Sequence, residues 1–310
     1  LNQKLNCLLI CAAGLWLTLG CGVASTANHA LPDSGTTVPI ILTADGKAYI
    51  DAMINGKGPF TLLIDSGSEL MAMTPEAVQR CGLTVHTGRL AVQGTTGGYV
   101  EVHQAEVHTV QIGGVTIRNP VCSVEKMDFH CDGLIGEPLF DAAVLKLDLA
   151  NGLLTMYPND TFKAAKGQLG VPIKFGSHRT PVVQGSIGGI RARLQIDTGS
   201  AFPVELLPAF VQSHNLTEQF GRLGEIKLNS VGGTSFSQIY DIKALCLGSK
   251  LLNDRGYPVP AVFLNPGFAA ADFDARIGSP MLAGAVVTFD YRRGRLYLRP
   301  RQLATASLTP

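Results

Sequence analysis

Asp65 and Asp197 are the residues of this 310-residue chain best suited to chemistry. Each ends an apolar run of strand character, Leu62-Leu63-Ile64 before the first and Leu194-Gln195-Ile196 before the second. Each also opens a turn of small residues, Asp65-Ser66-Gly67-Ser68 and Asp197-Thr198-Gly199-Ser200. Asp-Ser-Gly alone is an ordinary turn. A given Asp-(Ser/Thr)-Gly-Ser arises by chance in roughly one chain of this length per hundred, and a second copy behind a second apolar run is rarer by about the same factor. The pair is therefore read as functional. Two carboxylates held close together cannot both ionise readily, so such a dyad keeps one proton over a broad acidic-to-neutral range. Its ionised member can act as general base on a shared water, and its protonated member can donate to the oxygen of a polarised carbonyl. That is direct hydrolysis of an amide. The titration belongs to the pair, so neither aspartate is assigned a fixed role. The Ser66 and Thr198 hydroxyls are expected to cross-link the two turns, and Ser68 and Ser200 to bond the outer carboxylate oxygens. Gly67 allows backbone geometry that a side chain would forbid, and Gly199 belongs to the second turn.

An internal repeat positions these turns. Val38-Pro39-Ile40 returns as Val171-Pro172-Ile173, 133 residues on, and Asp65 returns as Asp197, 132 residues on. Pro75, Val78, Gln79 and Leu83 return as Pro208, Val211, Gln212 and Leu216. Ile135-Gly136-Glu137-Pro138 returns as Ile277-Gly278-Ser279-Pro280 at 142, and that offset holds through Asp148/Asp290, Gly152/Gly294 and Pro158/Pro300. The repeat predicts a lobe over residues 38–158, a linker over 159–167 and a second lobe over 168–302. A pseudo-twofold axis between the lobes would bring equivalent aspartates face to face.

Within each repeat the local signals are mostly those of strands. A first hairpin turns at Asn55-Gly56-Lys57-Gly58 and ends in the aspartate strand. Thr74, Pro75 and Glu76 read as an N-cap, a first-turn proline and a first-turn acid, so a short helix runs to about Arg80 and stops at Gly82. Alternating strands are expected over residues 100–103 and 107–110, behind a tip of Gly94, Thr95, Thr96, Gly97 and Gly98. Closing hairpins turn at Asn151-Gly152 and Arg293-Gly294. The class expected is all-β, two β-barrel lobes with short helices and a cleft between them.

Composition bounds the partners. Lys and Arg number 25 against 24 Asp and Glu, so no surface field favours nucleic acid or another polyanion. His103 and His108 lie five apart on expected strands, hence on opposite faces, and no metal or other cofactor is implied. No Walker-type glycine loop and no serine-hydrolase elbow is present. Residues 1–30 read as a targeting segment, with Lys4 ahead of an uncharged apolar stretch from residue 7 to 19. Two processing routes fit. Small residues around Ser25-Thr26-Ala27 suit signal cleavage, and Leu17-Thr18-Leu19-Gly20-Cys21 resembles a lipoprotein box that would lipidate Cys21 and tether the chain to a membrane. Either route exports the protein to the periplasm or cell envelope. In an oxidising compartment Cys122 and Cys131 could close a short disulfide loop or remain buried thiols.

The two Asp-(Ser/Thr)-Gly-Ser turns resemble those of the aspartic peptidase superfamily, pepsin-like and retropepsin-like together. Asp132-Gly133-Leu134-Ile135-Gly136 and Asp274-Ala275-Arg276-Ile277-Gly278 are similar to its hydrophobic-hydrophobic-glycine element, which packs beneath the catalytic turn. The short lobes look closer to bacterial retropepsin-like modules in tandem than to a full pepsin. The resemblance covers about residues 38–300. It implies Asp65 and Asp197 as catalytic dyad, a peptide or protein substrate, a monomeric two-lobed enzyme and a flap at Gly94–Tyr99. Arg276 departs from the family, which has an apolar residue there, so packing under Asp197 is expected to differ. Tyr99 also departs, following the glycine tip instead of preceding it. Two rival readings share the scaffold: a protein that holds extended peptide without turnover, and a dimer in which like lobes pair between chains.

Overall fold

The computed structural model describes residues 31–93, 99–127, 131–166, 168, 170–176, 178–230, 233–248, 250–252, 259–264 and 272–299. The expected targeting segment with Cys21, and the tip Gly94, Thr95, Thr96, Gly97 and Gly98, lie outside them. Among the described residues the chain is mostly β, with short helices between strands. One sheet has 10 strands, all from the first half, and the other has 15, drawn from both halves.

The first hairpin joins the strands Ala48–Ile54 and Lys57–Ile64. Its loop is the two residues Asn55 (φ 49°) and Gly56 (φ 75°), tighter than the four-residue turn expected, because both positive-φ positions are already supplied there. The first helix is Pro75–Cys81, and Thr74 accepts from Ala77 N–H at 3.2 Å as its N-cap. Strands form at Tyr99–Ala105 and Thr109–Ile112. Val107, expected to open the second of these, instead buries its side chain in the connection between them.

In each half the aspartate strand runs parallel to the strand that carries the hydrophobic-hydrophobic-glycine element. Lys57–Ile64 pairs with Gly133–Ile135, and Ile190–Asp197 pairs with Ala275–Gly278. A third, short strand covers the other side, Met71–Met73 in the first half and Val204–Leu206 in the second. Three adjacent strands buried on both faces explain the runs Leu62-Leu63-Ile64 and Met71-Ala72-Met73.

The repeated Val-Pro-Ile segments also pair alike. Val38 faces Leu154 on one closing hairpin, and Val171 faces Leu296 on the other. The closing hairpins then join edge to edge, Val144–Asp148 against Val286–Asp290, with Leu145 opposite Phe289. Phe140 packs on Phe289 and Tyr291 at centroid distances of 5.0 and 5.1 Å. Buried apolar residues from both halves consequently form one continuous cluster, with a small second cluster around Val182 and Phe273. The chain is long enough for each half to bury its own core, but the shared sheet merges them. Cys122 and Cys131 are free thiols, and burial pushes Cys122 up to about 12.

Candidate active site

Both aspartates sit where a parallel strand ends and the chain must turn at once. Gly67 N–H donates to Asp65 Oδ1 at 2.8 Å. Gly199 and Ser200 N–H donate to Asp197 Oδ1 at 2.9 and 3.1 Å. Each turn is clamped from below by the glycine element: Glu137 N–H donates to Ser68 O at 2.9 Å, and Ser279 N–H to Ser200 O at 3.1 Å.

Four reciprocal hydrogen bonds lock the turns together. Ser66 N–H donates to Thr198 Oγ1 (2.9 Å), and Thr198 N–H to Ser66 Oγ (3.0 Å). Each hydroxyl then donates onward to the opposite strand, Ser66 Oγ to Ile196 O and Thr198 Oγ1 to Ile64 O, both at 2.7 Å. Ser66 and Thr198 are buried, so every donor and acceptor in this cross-link is satisfied away from water. The cross-link predicted from sequence is present.

It forces a close approach. A Cβ on Gly67 would lie 2.5 Å from Asp197 Cγ, and a Cβ on Gly199 would lie 2.5 Å from Asp65 Cγ. Each carboxylate therefore rests over the other turn's glycine, and only glycine fits at either position. Burial and the neighbouring Asp197 charge push the Asp65 carboxyl well above its ordinary value; the Gly67 N–H and the more distant Arg276 pull the other way without prevailing.

Ser68 and Ser200 behave otherwise than expected. Ser68 Oγ donates to Leu70 O (3.2 Å), and Ser200 Oγ donates to Glu205 Oε2 (2.9 Å); neither hydroxyl bonds an aspartate carboxylate. Backbone N–H groups already fill that role, which frees both side chains to brace the turns.

Three polar residues that sequence reasoning did not assign to the site lie beside Asp197. Gln195, Arg276 and Glu205 stand directly opposite one another on three neighbouring strands. Gln195 and Asp197 are two apart on one strand, so they share a face. Arg276 Nε lies 3.0 Å from Asp197 Oδ2 and donates to Gln195 Oε1 at 2.9 Å, while Nη1 donates to Glu205 Oε2 at 3.0 Å. Arg276 is 7% exposed and Glu205 2%. Burial draws the guanidinium's pKa down, but Glu205 and Asp197 outweigh it and raise it. The signal was available in part: Arg276 was visible as a charge at an apolar position, and Glu205 stands between Val204 and Leu206 in a run otherwise fit for a core.

Tyr99 begins the strand Tyr99–Ala105, but the remaining flap residues lie outside those described. None of the curated proteins matches the chain. Residues 50–139, which include the first turn and its glycine element, match the family model described as Aspartyl protease. That segment, under a third of the chain, is similar to the aspartic protease family, of the retropepsin-like kind.

Proposed function

We propose that the protein is an aspartic endopeptidase whose dyad is Asp65 and Asp197. One observation carries this reading: the reciprocal Ser66–Thr198 cross-link, which holds each carboxylate against the glycine of the opposite turn. The family match covers only the first turn, so the second aspartate enters through this geometry. A dyad so held keeps one proton, because ionising both carboxyls at this separation is costly. Water bound between them loses a proton to the ionised carboxylate as its oxygen attacks the peptide carbonyl, and the protonated carboxyl donates to the carbonyl oxygen.

The matched pairings of the two halves support a tandem duplication, with lobes over 38–158 and 168–302 related by a pseudo-twofold axis through the cross-link. A peptide would then lie extended in a cleft between them, above the dyad. We further propose a monomer, exported through residues 1–30 to the periplasm or cell envelope, with Cys21 lipidated or removed.

The test is cleavage of an unfolded protein by the mature chain from about pH 3 to 8, beside Asp65→Asn and Asp197→Asn. Removing a group that transfers a proton in the transition state is expected to cost about 10²–10⁴-fold in rate. A statine-type inhibitor should block the activity. Tight peptide binding with no cleavage at any pH would favour the binding-protein alternative, and cleavage surviving both substitutions would sink the mechanism.

A further inference from the structure

A dyad of equivalent residues needs something to break its symmetry if each carboxyl is to have one role. The surroundings of Asp65 and Asp197 differ in that respect. Asp65 follows Leu63, and the residues opposite Leu63 on the adjoining strands are Leu134 and Ala72. Asp197 follows Gln195, and the residues opposite are Arg276 and Glu205. A permanently charged guanidinium therefore stands 3.0 Å from one carboxylate of the pair. Its orientation is over-determined by Gln195, by Glu205 and by the Phe273 ring, whose centroid lies 5.7 Å from the guanidinium carbon. Ser200 Oγ, bonded to Glu205, ties the same group to the second turn.

Among the described residues, the other charged or titratable groups near the dyad do not supply this asymmetry. Tyr291 is a buried phenol held protonated by burial and by the charges of Glu137, Asp65 and Asp197. Glu137 is itself paired with Arg179 at 2.7 Å, and Glu69, next to the first turn, with His178 at 3.0 Å.

We propose that Arg276 is a positioning residue that fixes the dyad's negative charge on Asp197 and so places the shared proton on Asp65. This rests on the protease reading for its catalytic consequence. Asp197 then accepts the water proton while the water oxygen bonds the carbonyl carbon, and Asp65 gives its proton to the carbonyl oxygen. On collapse of the resulting diol the C–N bond breaks. The amine nitrogen takes the proton from Asp197, a diol hydroxyl returns one to Asp65, and the dyad is restored. Each carboxylate oxygen has two lone-pair sites, so pairing with Arg276 leaves Asp197 able to receive the water proton. A second consequence is on pH: removing this cation is expected to move the acid limb of activity upward.

The experiment is a pH profile of kcat/KM on unfolded casein for the wild type, Arg276→Lys, and the double variant Arg276→Met/Glu205→Gln, which removes both buried charges together. The acid limb of the double variant should rise by about one pH unit or more, the size expected for losing an opposite charge at this range. Arg276→Lys should restore most of that shift. An unmoved limb in a folded, active double variant overturns the proposal. A measurement that needs neither cleavage nor the loss of Arg276 runs beside it: ¹³C titration of the aspartate carboxyls in Asp65→Asn and Asp197→Asn proteins. Asp197 in the first should titrate below Asp65 in the second; equal or reversed values overturn the proposal. If the wild type cleaves nothing at any pH, the protease reading fails, and this titration still decides the role of Arg276.

Discussion

The row of side chains crossing the three strands beneath each aspartate is apolar in one half of the molecule and charged in the other. In the first half it runs Leu63, Leu134, Ala72; in the second, Gln195, Arg276, Glu205. The backbone pairings are the same, so strand geometry does not require either composition. Burying an ion pair is seldom the more stable choice, because desolvation consumes most of the Coulombic gain. The first half demonstrates that an apolar row serves the fold. What the charged row adds is a cation at Asp197: where the first half has apolar packing, the second sets a guanidinium beside one carboxylate.

The comparison breaks most visibly if the charged row is damaged at one member. Arg276→Met leaves Glu205 buried without its cation, and a lone buried charge of this kind costs about 3–5 kcal/mol. Converting the whole row to the composition of the first half, Gln195→Leu/Arg276→Leu/Glu205→Ala, should be neutral or stabilising by about 1–4 kcal/mol. Urea unfolding at neutral pH reads both. A triple variant as unstable as the single one would show that the row is structural after all.

A smaller effect sharpens the contrast between the aspartates themselves. Asp65 has its carboxyl pKa raised above the ordinary 3.8, so the folded state binds a proton that the unfolded state has released. Stability from this group is present below that value and declines as pH rises toward the folded pKa. Asp65→Asn removes the decline, so that variant should be more stable than wild type at neutral pH, with the gap closing below about pH 4. Asp197→Asn instead takes a partner from a buried guanidinium and should cost about 1.5–3 kcal/mol, as for a hydrogen bond to a charged group. Denaturation curves at pH 3 and pH 7 for the two variants check the opposite signs.

The smallest difference lies in the equivalent helices. Thr74 caps Pro75–Cys81 through its hydroxyl, whereas Leu207 stands at the N-cap of Pro208–Ser213 with no side-chain bond. Thr74→Ala should cost about 1 kcal/mol, and the helix Pro208–Ser213 has no comparable side-chain cap to lose. A change in urea midpoint well below that would mean solvent caps the helix equally well.

Much of this was readable in one dimension. The Thr74–Gly82 helix, the closing turns and the two aspartate strands follow from capping residues, positive-φ glycines and apolar runs, which act over a few residues. The Ser66–Thr198 cross-link followed from the matching turns, since hydroxyls at equivalent positions beside the two aspartates reach equivalent groups. Less was readable where the partner is distant. Ser68 and Ser200 had two chemically reasonable acceptors each, and only backbone N–H groups already occupying Asp65 Oδ1 and Asp197 Oδ1 turned them elsewhere.

The amino-acid order alone specifies two apolar strands that each deliver an aspartate to a small-residue turn, and the matching segments around those turns. Those are matters of residue type and spacing, and they are local. Which aspartate has a cation beside it was decided by tertiary structure alone. Gln195, Glu205 and Arg276 are separated by 10 and 71 residues along the chain, and only the register of three strands sets them in one row. A charge acts through distance in space, and spatial distance across a sheet is fixed by pairing.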